Sequence, residues 1–104
     1  MSRASALIVD DESDIRELIR MTLERMGLCC IEAGSIAKAE RALESQHFDL
    51  CLTDMRLPDG SGISLVKSIQ SQHDSCPVAV ITAHGNVELA VEALKAGAFD
   101  FVSK

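Results

Sequence analysis

The chain has 104 residues, enough for one domain with its own core and too few for two. Apolar residues make up 47% and charged residues 25%, as in an ordinary globular domain. The net charge of −6 argues against direct nucleic-acid binding by this domain, because phosphate contacts need clustered Lys and Arg. No apolar run is long enough for a membrane span, and the first residues lack a signal-peptide pattern, so we expect a cytoplasmic protein.

Short apolar runs alternate with segments of helical periodicity along the whole chain. The first run, residues 6–9, predicts a strand buried on both faces that ends at Asp10 and Asp11. Ser13 is a candidate N-cap for the helix that follows, and Gly27 is expected to end that helix.

The middle of the chain repeats this alternation. A second strand is predicted around residues 28–32, and Ser35 is expected to cap the second helix. A third strand is predicted over residues 50–53 and leads into Asp54. The segment 55–62 is rich in Pro and Gly, which predicts a turn.

Two further strands are predicted in the last third of the chain. A helix with apolar residues between 63 and 69 precedes a continuous apolar strand over 78–82. Asn86 is a candidate cap for the next helix, Gly97 is expected to end it, and a less apolar strand is predicted over 99–102.

Five strands joined by helices through short connections predict an α/β fold, a doubly wound parallel sheet with helices on both faces. Right-handed crossovers favour the flavodoxin-like strand order 2-1-3-4-5. The sheet face beside the fifth strand needs cover, so we expect one more helix beyond Lys104, the last residue of this chain. No repeat or linker interrupts residues 1–104, which we take as a single domain.

Polar side chains stand at the ends of four predicted strands. They are Asp10 and Asp11 after the first strand, Asp54 after the third, Thr82 ending the fourth and Lys104 after the fifth. Ligands of open α/β sheets bind outside the carboxyl ends of the strands, so we expect these side chains at one edge. Three carboxylates repel one another unless a positive charge compensates, and carboxylate oxygens suit Mg²⁺. The set therefore predicts a magnesium site in which Asp54 attacks a phosphorus centre, with Lys104 neutralising charge.

Each of these residues also has a purely structural interpretation. Asp10 or Asp11 alone could cap a helix, and Asp54 alone could form a turn. Thr82 alone is a common strand residue and Lys104 alone a common surface residue. Their joint arrival at one sheet edge is what favours chemistry.

The four cysteines do not predict a metal site or a disulfide framework. Cys29 and Cys30 are adjacent, Cys51 lies in an apolar run and Cys76 precedes Pro77, so there is no CxxC pair. We expect reduced thiols that pack as small apolar groups.

Four stretches of the chain resemble the signatures of response-regulator receiver domains: LIVDDE, LCLTDMRLPDGSG, VITAHG and GAFDFVSK. They cover essentially the whole sequence and match in order and spacing. The chain is similar to receivers of enhancer-binding activators that use an alternative sigma factor, and around Asp54 to type IV pilus gene regulators. The resemblance implies two-component signalling, in which a sensor histidine kinase phosphorylates Asp54. It also implies effector domains beyond residue 104, and a phosphoacceptor with at most slow autodephosphorylation instead of a turnover enzyme.

The resemblance assigns further roles near Asp54. Asp10 and Asp11 would bind Mg²⁺ together with Asp54 and the backbone carbonyl of Arg56. Arg56 and His84 occupy positions that tune the lifetime of the phosphoryl group in this family. Neither side chain is suited to orienting an attacking water, so we expect them to shield the phosphoryl group.

The switch from phosphorylation to output follows from the same resemblance. Thr82 would move to bond the phosphoryl group, Ala83 would leave room for that movement, and Lys104 would pair with the phosphate. Phe101 occupies the aromatic switch position and, lacking a hydroxyl, would act by packing alone. Phosphorylation would then bias a two-state equilibrium of the fourth-helix region, with a homodimer through the fourth-helix and fifth-strand face as one output.

Three alternatives remain at this point. A haloacid-dehalogenase-type phosphatase would need an Asp at position 56, which is Arg56, and a cap over its substrate. A nucleotide- or flavin-binding module would need a Gly-rich loop where this chain has Asp-Asp-Glu. A pseudo-receiver used only for protein contacts would not need the acidic set. The chain also departs from receiver domains in lacking, within its length, the Pro after Lys104 and the fifth helix.

Overall fold

The computed structural model of the protein describes residues 4–73, 75–82 and 87–103. Five strands form the main sheet: Ser5–Val9 (β1), Cys29–Ala33 (β2), Leu50–Asp54 (β3), Val78–Thr82 (β6) and Asp100–Ser103 (β7). Two short strands, Arg56–Leu57 (β4) and Gly60–Ser61 (β5), pair as an antiparallel hairpin after β3. The helices are Ser13–Arg25 (α1), Ile36–Ser45 (α2), Gly62–Gln72 (α3) and Val87–Ala96 (α4).

The main sheet is parallel, with the order β2-β1-β3-β6-β7. Counting its five strands along the chain, this is the predicted order 2-1-3-4-5, and the predicted fold is confirmed. The sheet centre is apolar because helices cover it from both sides: residues 6–9 of β1 have no exposed surface, and all of β6 is buried. The edge strand β7 is exposed along its length.

The core is aliphatic, as the composition requires. Phe48 is 1% exposed, whereas Phe99 and Phe101 are 58% and 39% exposed. The remaining core is built from leucine, valine, isoleucine and alanine, together with Met55, Cys51 and Cys76. The two buried cysteines therefore pack as predicted, and burial raises the pKa of both thiols. Cys29, in contrast, is exposed at the start of β2.

An apolar groove of about 380 Å³ lies between α1 and the sheet. Leu18 is 63% exposed on this side, and no residue of α1 is fully buried. Val102 and Ser103, at the end of β7, line the same groove. This is the face on which the sequence predicts cover by a further helix, which stays a prediction.

Three details differ from the sequence expectations. The N-cap of α1 is Glu12 and Ser13 is already helical, because the Asp10 carboxylate accepts the Glu12 N–H at 2.9 Å and turns the chain one residue earlier. Strands β2 and β7 each begin one residue later than predicted. The segment predicted as a turn contains the β4–β5 hairpin. Asn86, the predicted cap of α4, lies outside the described residues.

The N-terminus of α2 has two capping side chains. Ser35 Oγ accepts the Lys38 N–H at 3.2 Å, which confirms the predicted cap. Asp59, in the turn of the β4–β5 hairpin, accepts the Ile36 N–H at 2.8 Å and the Ala37 N–H at 3.0 Å. These backbone bonds hold the pKa of the Asp59 carboxyl below its ordinary value. A turn distant in sequence is thereby attached to the beginning of a helix.

Replacing Asp59 with Ala should lower thermal stability near neutral pH by removing both bonds. Because the folded-state pKa of Asp59 is depressed, its stabilisation is fully present above the unfolded aspartate pKa and is lost as pH falls through the folded pKa. The difference in melting temperature between the native protein and Asp59→Ala should therefore be constant from about pH 7 to about pH 5 and shrink below about pH 4. Glu40→Ala, which removes an exposed carboxylate from the same helix, is the charge control. A difference that persists undiminished in acid would contradict this assignment.

Candidate functional site

Two of the predicted acids lie next to each other, at the carboxyl ends of the neighbouring strands β1 and β3. Val9 of β1 and Thr53 of β3 are register partners, and the residues that follow them are Asp10 and Asp54. Asp10 is fully buried, Asp54 is 8% exposed, and Asp11 is exposed. Carboxylate oxygens of the three residues all lie within 4.8 Å of one another. The predicted convergence of acids at the carboxyl edge of the sheet is therefore observed.

Backbone amides orient the two carboxylates at the strand ends. Asp54 Oδ1 accepts the Met55 N–H at 2.8 Å, and Asp10 Oδ1 accepts the Glu12 N–H at 2.9 Å. In both cases the amide belongs to the segment that leaves the strand. The turn of the chain and the direction of the carboxylate are thus set by the same bond.

Arg16 secures the end of β1, a contact that the sequence did not predict. Its Nη1 donates to the backbone carbonyl of Asp10 at 2.6 Å, and its Nε donates to Glu32 Oε1 at 3.1 Å. The other oxygen of Glu32 lies 3.0 Å from Arg20 Nε. Two arginines of α1 therefore share one carboxylate of β2, and the strand end that carries Asp10 is fixed to its neighbours.

Gly62 marks a close approach of two backbone segments at Asp54. Its N–H donates to the Met55 carbonyl at 2.8 Å. A Cβ at this position would collide with the Asp54 carbonyl oxygen and lie 3.0 Å from Met55 Cα. From the sequence, Gly62 is predicted only to be part of a turn. The structure shows that it lets the first turn of α3 pack directly against the backbone of Asp54.

The remaining predicted residues divide between the site and the part of the chain that is not described. Thr82 ends β6 and is 2% exposed; it lies one position beyond Ile81, the register partner of Asp54. Arg56 is the exposed first residue of β4, two residues after Asp54. Phe101 is paired with Val80 and is partly exposed on β7. The predictions for Ala83, His84 and Lys104 fall outside the described residues.

The donor set of the cluster suits a hard divalent cation. Three carboxylates offer only oxygen, the ligand atom that Mg²⁺ and Ca²⁺ prefer. Their negative charges also need a compensating positive charge at such short distances. Within residues 4–73, 75–82 and 87–103, this is the one group of three or more acidic, His or Cys side chains close enough to share an ion.

Comparison with known proteins identifies the family. A sequence model described as "Response regulator receiver domain" matches residues 6–104. The chain belongs to the response-regulator receiver family. It is 59% identical over its whole length to the response regulator protein PilR of Pseudomonas aeruginosa, covering 23% of that protein. It is 38% identical to the DNA-binding transcriptional regulator NtrC of Escherichia coli, covering 22%. The chain thus spans under a quarter of these relatives.

Solved receiver structures have the same architecture. NtrX from Brucella abortus superimposes with a TM-score of 0.93 at 36% identity, over the whole of this chain and 24% of that one. The separate receiver domain of NtrX gives 0.91 at 37% identity, over 95% and 84% of the two chains. A response regulator from Burkholderia pseudomallei, whose structure contains a phosphorylated aspartic acid, a calcium ion and citrate, gives 0.89 at 25% identity, over 97% of this chain and 59% of that one.

These comparisons confirm the predicted family and decide against the phosphatase and flavin-module alternatives. The chain is a receiver domain of the response-regulator type, and its full-length relatives include regulators of transcription. No described helix of the receiver has both the length and the apolar character needed to cross a membrane.

Gly62→Ala should destabilise the receiver because the new methyl group would meet the Asp54 backbone, which cannot move without disturbing β3. Gly27→Ala is the matched control, since Gly27 has a positive φ of 94° but open space around it. We expect Gly27→Ala to cost about 1–2 kcal/mol from backbone conformation alone and Gly62→Ala to cost more. Urea unfolding of both variants measures the difference. Equal or smaller destabilisation by Gly62→Ala would show that the close approach is unimportant.

Proposed function

We propose that Asp54 of this receiver accepts a phosphoryl group from a phosphohistidine of a sensor histidine kinase. The observation that carries the proposal is the cluster of three carboxylates, with Asp54 almost buried at the end of a central strand. An oriented nucleophile with limited access to solvent suits such a reaction. The Met55 amide fixes the direction of the Asp54 carboxylate, and only 8% of Asp54 is exposed.

Mg²⁺ would be held by the carboxylates of Asp10, Asp11 and Asp54 and by the backbone carbonyl of Arg56. When bound, the cation neutralises negative charge on the carboxylates and on the incoming phosphoryl group. An oxygen of Asp54 forms the new bond to phosphorus as the bond from phosphorus to the kinase histidine nitrogen breaks, and the imidazole leaves. The calcium ion and phosphorylated aspartic acid in the Burkholderia pseudomallei relative support this assignment.

The response to phosphorylation would depend on four residues: Thr82, Ala83, Phe101 and Lys104. Thr82 is the hydroxyl nearest in register to Asp54 on the neighbouring strand, which supports a role as donor to the phosphoryl group. Phe101 lies on β7, the strand next to the one that ends at Thr82, and is partly exposed, which supports a role by packing. The exposed apolar residues of α4, of the short link after it and of β7 suit a homodimer contact as the output surface, at Val87, Val91, Leu94, Phe99 and Phe101.

The whole protein would be a cytoplasmic transcription activator of the two-component class. Its effector domains would lie beyond residue 104, as the length of the PilR and NtrC relatives suggests. In this scheme the receiver takes one phosphoryl group per signalling event, and slow hydrolysis of the acyl phosphate resets it.

Incubation with a small acyl phosphate and Mg²⁺ should add one phosphoryl group to the protein, seen by intact-mass spectrometry. Asp54→Ala should abolish the added mass, and chelation of the cation should do the same to the native protein. Asp14→Ala, which removes an exposed carboxylate from the first turn of α1, is the matched control and should be labelled normally. Undiminished labelling of Asp54→Ala would sink the proposal.

Arg56 and His84 would shield the phosphoryl group from water. Arg56 is exposed and two residues from Asp54, so its side chain has room to cover the opening. The double variant Arg56→Ala/His84→Ala should therefore release phosphate several-fold faster than the native protein, by roughly 1 kcal/mol in activation free energy. The decay of the phosphorylated mass with time measures this rate. An unchanged or slower decay would remove the shielding role.

A further inference from the structure

The segment that follows Asp54 is fixed to the site at its two ends. At its beginning, the Met55 N–H bonds the Asp54 carboxylate. At its end, the Gly62 N–H bonds the Met55 carbonyl. Between them the β4–β5 hairpin pairs Leu57 with Gly60, which leaves Pro58 and Asp59 as a two-residue turn.

Asp59 attaches this turn to α2. Its two carboxylate oxygens accept from the Ile36 and Ala37 amides at 2.8 and 3.0 Å. The Ile36 side chain also packs under the turn, because a Cβ at Gly60 would lie 2.8 Å from Ile36 Cδ1. The helix is itself anchored, with Ala39 and Leu43 buried in the core. The far end of the hairpin therefore rests on a rigid part of the fold.

We propose that Asp59 is a positioning residue for the acidic site. By holding the turn against α2, it fixes the hairpin, and with it the backbone of Met55 and Arg56 beside Asp54. The inference rests on the proposed function, since the Arg56 carbonyl is the cation ligand that this bracing would hold in place. A hairpin without the Asp59 bonds would have to be ordered when the cation binds, and that ordering weakens binding.

A simpler role for Asp59 is to stabilise α2 and nothing else. Ser35 separates the two possibilities because it caps the same helix through the Lys38 N–H but does not belong to the hairpin. Ser35→Ala weakens the N-terminus of α2 and leaves the turn bonded. Asp59→Ala weakens the same N-terminus and also frees the turn.

Magnesium titration by calorimetry on the native protein, Asp59→Ala, Asp59→Asn and Ser35→Ala tests the proposal. We expect Asp59→Ala to raise the dissociation constant for Mg²⁺ about tenfold. This is the lower end of the range for residues that orient a metal ligand without touching the metal. Asp59→Asn keeps one oxygen acceptor and should lie between Asp59→Ala and the native protein. Ser35→Ala should stay within about twofold of the native value, as expected for an independent site.

Amide hydrogen exchange of Gly62 supplies a readout that needs no cation. The Gly62 N–H is bonded to the Met55 carbonyl. If Asp59→Ala loosens the hairpin, this amide proton should exchange faster in Asp59→Ala than in the native protein, and at an unchanged rate in Ser35→Ala.

Equal dissociation constants for Asp59→Ala and Ser35→Ala, together with unchanged Gly62 exchange, would overturn the positioning role. A native protein that binds no Mg²⁺ would instead count against the proposed function, and Gly62 exchange would still decide whether Asp59 braces the hairpin. If Asp59→Ala does not fold, the comparison of Asp59→Asn with Ser35→Ala gives the same decision.

Discussion

Mutual repulsion of the three carboxylates at the sheet edge is the constraint on which the site depends. Like charges with oxygens within 4.8 Å of one another repel, and the burial of Asp10 and Asp54 limits the screening of this repulsion by water. The parallel sheet imposes the proximity, because the register of Val9 with Thr53 delivers Asp10 and Asp54 side by side. The fold thus contributes free energy to maintain an arrangement that a bound cation would relieve. An acidic site of this kind is poised for a ligand before the ligand arrives.

The surrounding contacts keep the carboxylates from escaping this repulsion. Backbone amides bind one oxygen of Asp10 and one of Asp54, so neither side chain can simply rotate toward solvent. Arg16 holds the Asp10 carbonyl from outside the cluster, and Gly62 admits α3 against the Asp54 backbone. Rigid support of this kind would let Asp54, in its proposed role as nucleophile, react without an ordering cost at each phosphoryl transfer. Local stability at the strand ends and readiness for chemistry therefore have the same physical origin.

The main architecture and the acidic cluster could be predicted from the sequence because both follow from strong local patterns. Buried parallel strands read as continuous apolar runs, and the rule that ligands bind at carboxyl ends gathers the residues after them. The β4–β5 hairpin could not be found this way, since strands of two residues have no periodicity. The sequence predicts Ser13 as the cap of α1, but the Asp10 carboxylate accepts the Glu12 N–H and the helix begins one residue earlier. Arg16 and Asp59 act across distances set only by tertiary packing, so no spacing in the sequence indicates them.

The bracing between Asp54 and α2 also has a consequence for the permitted length of the chain. Surface loops generally tolerate insertions at small cost in closure entropy. The segment from Asp54 to Gly62 has little such slack, because the Gly62–Met55 backbone bond closes its base and Asp59 ties its turn to α2. One added residue would shift the hairpin register or detach the turn from the helix. The geometry that this loop spans therefore restricts the number of its residues more than the kind of side chain at its exposed positions.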